Sequence, residues 1–116
     1  MEPNNVQVGV HVIINLYDVD ASLLKDMETG TILSDKITTL LQLHVLAKSG
    51  HQFQPHGYTL LYLLSESHYS IHTYPEFRSC YVDIFCCNKD FNPTNAVDII
   101  GTLFSTKNIK YHVISR

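Results

Sequence analysis

Two adjacent strand-like segments constrain the fold of this chain more than any other feature of its sequence. Residues 58–65 are almost wholly apolar and rich in Leu and Tyr, and residues 68–74 alternate between two faces. Almost no connector separates the segments, so the chain must bend between Glu66 and Ser67. Strands joined by so short a connection run antiparallel. The sequence therefore predicts a sheet built from hairpins.

Alternating apolar residues predict further strands at residues 7–17, 51–55, 79–86 and 109–114. Two helices accompany them. Apolar residues at helical spacing predict one helix over residues 34–48, closed by Gly50, and Asn92-Pro93 predicts the start of another. A short turn capped by Asp20 comes first, and Thr29-Gly30-Thr31 is expected to break it.

The order of these elements predicts the fold class. Strands and helices interleave with too many hairpins for a parallel sheet, so we expect an α+β fold. It would be a two-layer α/β sandwich, with a mainly antiparallel sheet backed by two helices. A chain of 116 residues is expected to form a single domain, residues 1–116. One sheet face would stay open, either to solvent or to a second copy.

Composition argues against several classes of partner. The formal net charge is −3 and the Lys and Arg residues form no cluster, so we expect no nucleic-acid partner. No apolar run approaches the roughly 18–20 residues of a membrane-spanning helix, so we expect no membrane association. Three cysteines cannot all pair, and adjacent Cys86 and Cys87 are poorly placed for a disulfide, which favours a reduced, cytoplasmic chain.

The strand at residues 68–74 carries side chains suited to chemistry. His68, Ser70 and His72 fall on one face, opposite a largely apolar one. Hydroxyl and imidazole groups at this density suit proton transfer on a serine better than core packing. Ser67 lies at the predicted bend, where the backbone can be strained. His72 is a candidate base, since imidazoles titrate near neutral pH.

Strand alternation also separates the two adjacent cysteines. Cys87 shares a face with Asp83 and Phe85, whereas Cys86 points the other way. A zinc site built from these cysteines and the strand histidines is not expected, because the sequence lacks the usual pairs of cysteines separated by two residues. We therefore predict no metal.

The sequence resembles the short, bacterial-type family of S-adenosylmethionine decarboxylase proenzymes, which depend on a pyruvoyl group. The resemblance extends along the chain from Gly9-Val10-His11 to Tyr111-His112-Val113. It implies that the chain cuts itself between Glu66 and Ser67, giving residues 1–66 and 67–116, and that Ser67 becomes the pyruvoyl cofactor. The resemblance is carried by Leu64-Ser65-Glu66-Ser67-His68, Ile71-His72-Thr73, Pro75-Glu76, Asp83, Phe85 and Cys87.

The resemblance implies roles for further side chains. His72 would be the processing base, and Thr59 stands where the family usually carries a processing serine. Cys87 would protonate the product after CO₂ leaves, Phe53 would stack on the adenine, and Glu76 would bind the ribose hydroxyls. The expected enzyme decarboxylates S-adenosylmethionine, a small-molecule substrate, through a Schiff base to the pyruvoyl group for spermidine synthesis. The resemblance also implies a homodimer with active sites at its interface.

Besides Thr59, three further positions depart from the family pattern and leave alternatives open. Asn15 stands near a usual carboxylate, Tyr74 replaces a common tryptophan, and Asn88 replaces a usual glycine. Because a sulfonium substrate should prefer a nearby carboxylate, one alternative is a pyruvoyl-dependent decarboxylase of ornithine or arginine. Another is an uncleaved homologue that regulates an active partner. The intact serine, histidine and cysteine of the motif argue against that second alternative.

Overall fold

Six strands form one antiparallel sheet in the computed structural model, which describes residues 5–65 and 67–116. Two helices, α1 (Met27–Leu40) and α2 (Pro93–Leu103), pack against this sheet. Neither helix in the described part of the chain is long and apolar enough to cross a membrane. The predicted α+β two-layer sandwich is confirmed. The strands are β1 (Val10–Tyr17), β2 (Val45–Gln52), β3 (Tyr58–Leu64), β4 (Ser67–Tyr74), β5 (Ser79–Cys86) and β6 (Asn108–Ser115).

The strand order across the sheet is β2-β3-β4-β5-β1-β6, and every neighbouring pair is antiparallel. The central hairpin of β3 and β4 is present as predicted, with Leu64 paired to Ser67. On β4, Tyr69 is fully buried on the helix side. His68 is exposed and His72 half-buried on the other side. We call the side away from the helices the open face.

The hydrophobic core lies between the sheet and the two helices. Each of the four central strands, β3, β4, β5 and β1, buries alternate residues there, and each helix buries one stripe. This burial fixes which side chains are left for the open face. Fully buried side chains from both layers include Val12, Ile14, Leu16, Ile37, Ile84, Ile100 and Phe104.

Two local caps form where the sequence predicts them. The Asn92 side chain accepts the backbone N–H of the residue three positions later, at 3.2 Å. Pro93 takes the first position of α2, where a missing N–H costs no hydrogen bond. Asp20 accepts the N–H of Ser22 at 2.9 Å and starts the short 3₁₀ turn Ala21–Leu23.

The start of α1 differs from the prediction. The helix begins at Met27 rather than at residue 34, so Gly30 lies inside it and does not break it. Gly30 is required for packing, because a Cβ at this position would overlap the ring of Tyr58. The glycine therefore lets the helix approach β3 closely, a role that its position in the sequence does not reveal.

The end of α1 and the position of β2 also correct the prediction. The helix ends at Leu40, and Gln42 has a φ of 58°, outside helical geometry. The predicted strand at residues 51–55 is wrong, since β2 spans Val45–Gln52 and contains Gly50. Because β2 is an edge strand with mostly exposed residues, it lacks the alternation that marks a strand.

Replacing Gly30 with Ala should destabilise the protein, opposite to the usual effect of this change in a helix. At an unobstructed helical position the change gains roughly 1 kcal/mol. Here the new Cβ would overlap Tyr58, and over-packing costs about 1–3 kcal/mol. Urea unfolding followed by circular dichroism measures the free energy of unfolding. Thr39→Ala, at an exposed position of α1, is the control. A Gly30→Ala protein as stable as wild type would contradict this packing.

Candidate active site

Ser67 and Cys87 meet at one end of the sheet, where β4 begins and β5 ends. The Ser67 Oγ lies 3.4 Å from the Cys87 Sγ, within hydrogen-bond distance for sulfur. Ser67 begins β4 and pairs with Cys86 at the end of β5, which brings the next residue beside it. Ser67 also has a φ of 150°, a value that strains any residue with a side chain. Glu66, the predicted residue before the cut, lies outside the described residues.

Gly9 makes room for the Cys87 thiol. A Cβ at Gly9 would lie 3.2 Å from the Cys87 Sγ and 2.8 Å from a ring carbon of Phe85. The backbone of Gly9 is fixed from the other side, since its N–H donates to the Arg116 carbonyl at 3.0 Å and its carbonyl accepts the Arg116 N–H at 2.9 Å. No role for Gly9 was predicted from the sequence, although a glycine beside a strand often marks close approach of another group.

The three cysteines differ in access. Cys87 is exposed, whereas Cys80 and Cys86 are 0% and 1% exposed on the core side. Burial raises the pKa of the Cys80 thiol to about 12. The predicted separation of Cys86 from Cys87 by strand alternation is present. Among residues 5–65 and 67–116, no group of three or more His, Cys, Asp and Glu side chains is arranged to hold a metal ion.

Thr59 and His72 form a second pair on the open face. They are directly opposite each other on β3 and β4, and the Thr59 Oγ1 lies 3.1 Å from the His72 Nδ1. This hydrogen bond orients the imidazole ring and leaves its Nε2 for another partner. The His72 imidazole could therefore act as a base whose orientation is fixed by the Thr59 hydroxyl.

The two pairs lie apart within one chain. Ser67 and His72 are five residues apart on β4, which at about 3.3 Å per residue separates them by roughly 16 Å. A direct proton transfer needs a hydrogen bond or one bridging water. His72 therefore cannot act on Ser67 of its own chain in this conformation. His72 lies within the predicted strand, whereas Ser67, predicted at the bend before it, is the first residue of β4.

Phe53 and Glu76 lie at the same end of the open face as His72. Phe53 follows β2 in a loop, is 45% exposed, and contacts His51 edge to face with centroids 4.7 Å apart. Glu76 is exposed in the 3₁₀ turn Pro75–Phe77 that follows β4. The loop and the turn adjoin, since a Cβ at Gly57 would lie 3.5 Å from the Pro75 Cδ.

Tyrosines and an asparagine complete this end of the face. Tyr81 pairs with His72 on one side and with Asn15 on the other. Its ring contacts Tyr74 and Tyr17 edge to face, with centroids 5.6 and 6.4 Å apart. The Asn15 amide donates to the Tyr17 hydroxyl at 3.3 Å. The unusual Asn15 and Tyr74 thus lie near His72, on neutral and aromatic surface.

Comparison with known proteins bears on this arrangement. The family model for S-adenosylmethionine decarboxylase matches residues 10–116. A Bacillus cereus (strain ZK / E33L) protein named S-adenosylmethionine decarboxylase proenzyme 2 is 45% identical over 95 residues, which cover 82% of this chain and 77% of that one. The S-adenosylmethionine decarboxylase proenzyme of Aquifex aeolicus (strain VF5) is 36% identical over 109 residues, covering 94% and 81%.

A solved structure agrees with these relatives. The crystal structure of the adenosylmethionine decarboxylase from Aquifex aeolicus VF5 superposes with a TM-score of 0.89 and 34% sequence identity. The match covers 97% of this chain and 92% of that one. The similarity therefore includes the sheet, both helices and the open face.

Thiol modification should distinguish the three cysteines. Methyl methanethiosulfonate, a small reagent, is expected to modify Cys87 rapidly in the native protein, because Cys80 and Cys86 are buried. Mass spectrometry of peptides from the quenched reaction identifies the modified residue. Cys87→Ser should abolish the rapid phase and leave modification only after denaturation. Rapid native labelling of Cys80 would show that the core side is not closed as described.

Proposed function

This chain belongs to the S-adenosylmethionine decarboxylase family, and from that premise we propose a self-processing, pyruvoyl-dependent enzyme that decarboxylates S-adenosylmethionine for spermidine synthesis. The observation that carries the proposal is the contact of Ser67 with Cys87, 3.4 Å apart, at a residue with a φ of 150°. The proposed single domain, residues 1–116, is cut into residues 1–66 and 67–116. The three cysteines are thiols rather than disulfides, which supports a reducing, cytoplasmic location.

The first proposed reaction is cleavage of the chain at Ser67. Its Oγ attacks the carbonyl carbon of residue 66, and the C–N bond breaks as an ester forms. Removal of the Ser67 α-proton then breaks the Cβ–Oγ bond, which releases the carboxylate of residue 66 and leaves dehydroalanine. Water hydrolyses that residue to a pyruvoyl group and ammonia. The strained backbone at Ser67 and the exposed Oγ suit this sequence of steps.

The residues around Ser67 also fit the group that this cleavage would produce. A pyruvoyl group supplies a carbonyl that withdraws the electron pair released as CO₂ leaves. Cys87 holds its thiol beside that position and is the proposed donor of the proton that replaces CO₂. Gly9 keeps the space for this thiol free.

Phe53 and Glu76 are the proposed substrate-binding residues. A half-exposed aromatic ring offers a face on which adenine can stack, and an exposed carboxylate can accept the ribose hydroxyl hydrogens. Their place near His72, at the far end from Ser67, leaves one chain without a complete site.

A homodimer resolves that separation. Ser70 lies in the middle of the open face, three residues from Ser67 in one direction and two from His72 in the other. Consider a two-fold axis that lies between two stacked open faces, perpendicular to the strands and close to Ser70. It would place β4 of one chain over β4 of the other, with the two strands running in opposite directions. Sheets that stack face to face lie about 10 Å apart, close enough for their side chains to meet. Ser67 would then face the partner's His72, and the axis would generate two such sites.

Exposed apolar side chains on the open face support such a dimer. Leu61 and Leu63 of β3 are 49% and 54% exposed, and Ile114 of β6 is 41% exposed. Together they form apolar surface that a second copy would remove from water. The same contact would place Thr59 and His72 of each chain beside the other chain's Ser67.

Intact mass under denaturing conditions tests self-processing. The wild-type protein is expected to give two chains, residues 1–66 and a pyruvoyl-headed 67–116, whereas Ser67→Ala should remain one chain because the attacking hydroxyl is absent. Ser115→Ala, which removes an exposed hydroxyl from β6, is the control and should process normally. An unbroken 13.2 kDa wild-type chain that persists on long incubation would support the uncleaved regulatory alternative. Release of CO₂ from labelled ornithine or arginine instead would change the substrate.

Mixed dimers test whether the site is shared. Ser67→Ala and His72→Ala chains, each with a different tag, should both stay whole when expressed alone. When they are expressed together, the His72→Ala chain should be cut, because its Ser67 faces an intact His72 in the Ser67→Ala partner. The Ser67→Ala chain should remain whole. Mixed dimers in which neither chain is cut would contradict a shared site.

A further inference from the structure

The Gln52 side chain connects three parts of the backbone. Its Nε2, with two N–H donors, lies within hydrogen-bond distance of three carbonyl oxygens, those of Lys25 at 2.8 Å, Gly57 at 2.9 Å and Phe53 at 3.1 Å. Its Oε1 accepts the backbone N–H of Met27 at 2.6 Å. One side chain at the end of β2 thus uses both ends of its amide to join the chain before α1 to the loop that carries Phe53.

The contact with Met27 satisfies a group that α1 would otherwise leave without a partner. The first N–H groups of a helix have no acceptor within the helix. Asp26 occupies the N-cap position, but its side chain makes no capping hydrogen bond. Gln52, which belongs to β2, therefore caps α1 in place of Asp26, and this hydrogen bond joins the start of α1 to the end of β2.

The other contacts hold the loop that carries Phe53. The Phe53 N–H donates to the Gly57 carbonyl at 2.7 Å, and the Gly57 N–H donates to the Lys25 carbonyl at 2.9 Å. Gln52 bonds to all three of these carbonyl-bearing residues. Phe53 is 45% exposed and its ring contacts His51 edge to face, so the position of the ring depends on this contact and on the backbone that carries it.

We propose that Gln52 is a positioning residue for substrate binding, which fixes the Phe53 ring where an adenine nucleoside can stack on it. The inference rests on the proposed function, because it takes Phe53 as a substrate contact. Gln52 makes none of the contacts within the Ser67–Cys87 and Thr59–His72 pairs. Its loss should therefore weaken nucleoside binding and leave self-processing intact.

Two substitutions of Gln52 distinguish the role of its Nε2 donor from that of its Oε1 acceptor. Gln52→Glu keeps the size and an oxygen for the Met27 N–H, but it places a carboxylate oxygen against three carbonyl oxygens. Gln52→Lys loses the acceptor and offers an ammonium group, which can donate to those carbonyls. Gln54→Ala is the matched control, since Gln54 lies in the same loop, is exposed and makes no side-chain hydrogen bond in the described structure.

The measurements are made on the processed enzyme. Calorimetry gives the Kd of 5′-methylthioadenosine, which carries the nucleoside but lacks the aliphatic amino group that would form a Schiff base. Steady-state assays give KM and kcat for S-adenosylmethionine, and intact mass gives the processed fraction. For Gln52→Glu we expect Kd and KM to rise about tenfold, with kcat within about threefold and normal processing. Gln52→Lys and Gln54→Ala should stay within about threefold of wild type in every measure.

Different failures of this experiment have different meanings. If Gln52→Glu lowers the melting temperature but leaves Kd and KM unchanged, Gln52 is only structural and the inference is overturned. If it lowers processing and kcat together with binding, the loop does not act through Phe53 alone and the inference is again overturned. A wild-type protein that processes but neither binds the nucleoside nor turns over S-adenosylmethionine would overturn the proposed substrate as well.

Discussion

The pairing of β4 between β3 and β5 is the constraint on which the rest of the structure depends. It sets Thr59 opposite His72 on one side and brings Cys87 beside Ser67 on the other. A shift of one residue in either register would turn the side chains of β4 to the opposite face. That shift would bury His72 and expose Tyr69, so the apolar core holds the register that both polar pairs need.

Because the core occupies one side of the sheet, polar side chains suited to proton transfer remain on the other side. The helices cover one side of the sheet, where they bury alternate residues of every central strand. The other side carries the Thr59–His72 pair, together with Leu61 and Leu63 exposed to water, and the Ser67–Cys87 pair lies at the end of the same strands. In the proposed dimer, burial of these leucines and completion of the two sites are one event. Chain cleavage would then depend on assembly, which protects a lone folded chain from cutting itself.

Much of this fold follows from local patterns in the sequence, and the exceptions have physical causes. An apolar run located β3, alternation located β4 and β5, and the Asn92-Pro93 cap located α2, because each signal depends only on neighbouring residues. The predicted start of α1 was wrong because Gly30 is needed to make room for the Tyr58 ring, and Tyr58 is distant in sequence. The edge strand β2 was misplaced because exposure on an edge removes the need for alternation.

The candidate site shows the same division between local and distant information. Alternation placed His72 on the polar face of β4 and distinguished Cys87 from Cys86, whereas Ser67 was singled out by the predicted bend and by the family resemblance. It did not show that His72 is roughly 16 Å from Ser67, although strand geometry alone gives that spacing once β4 is continuous. Gln52 had no local signal, since its partners include carbonyls 27 and 5 residues away along the chain. A side chain whose work is to join distant backbone segments is recognised only when the fold is known.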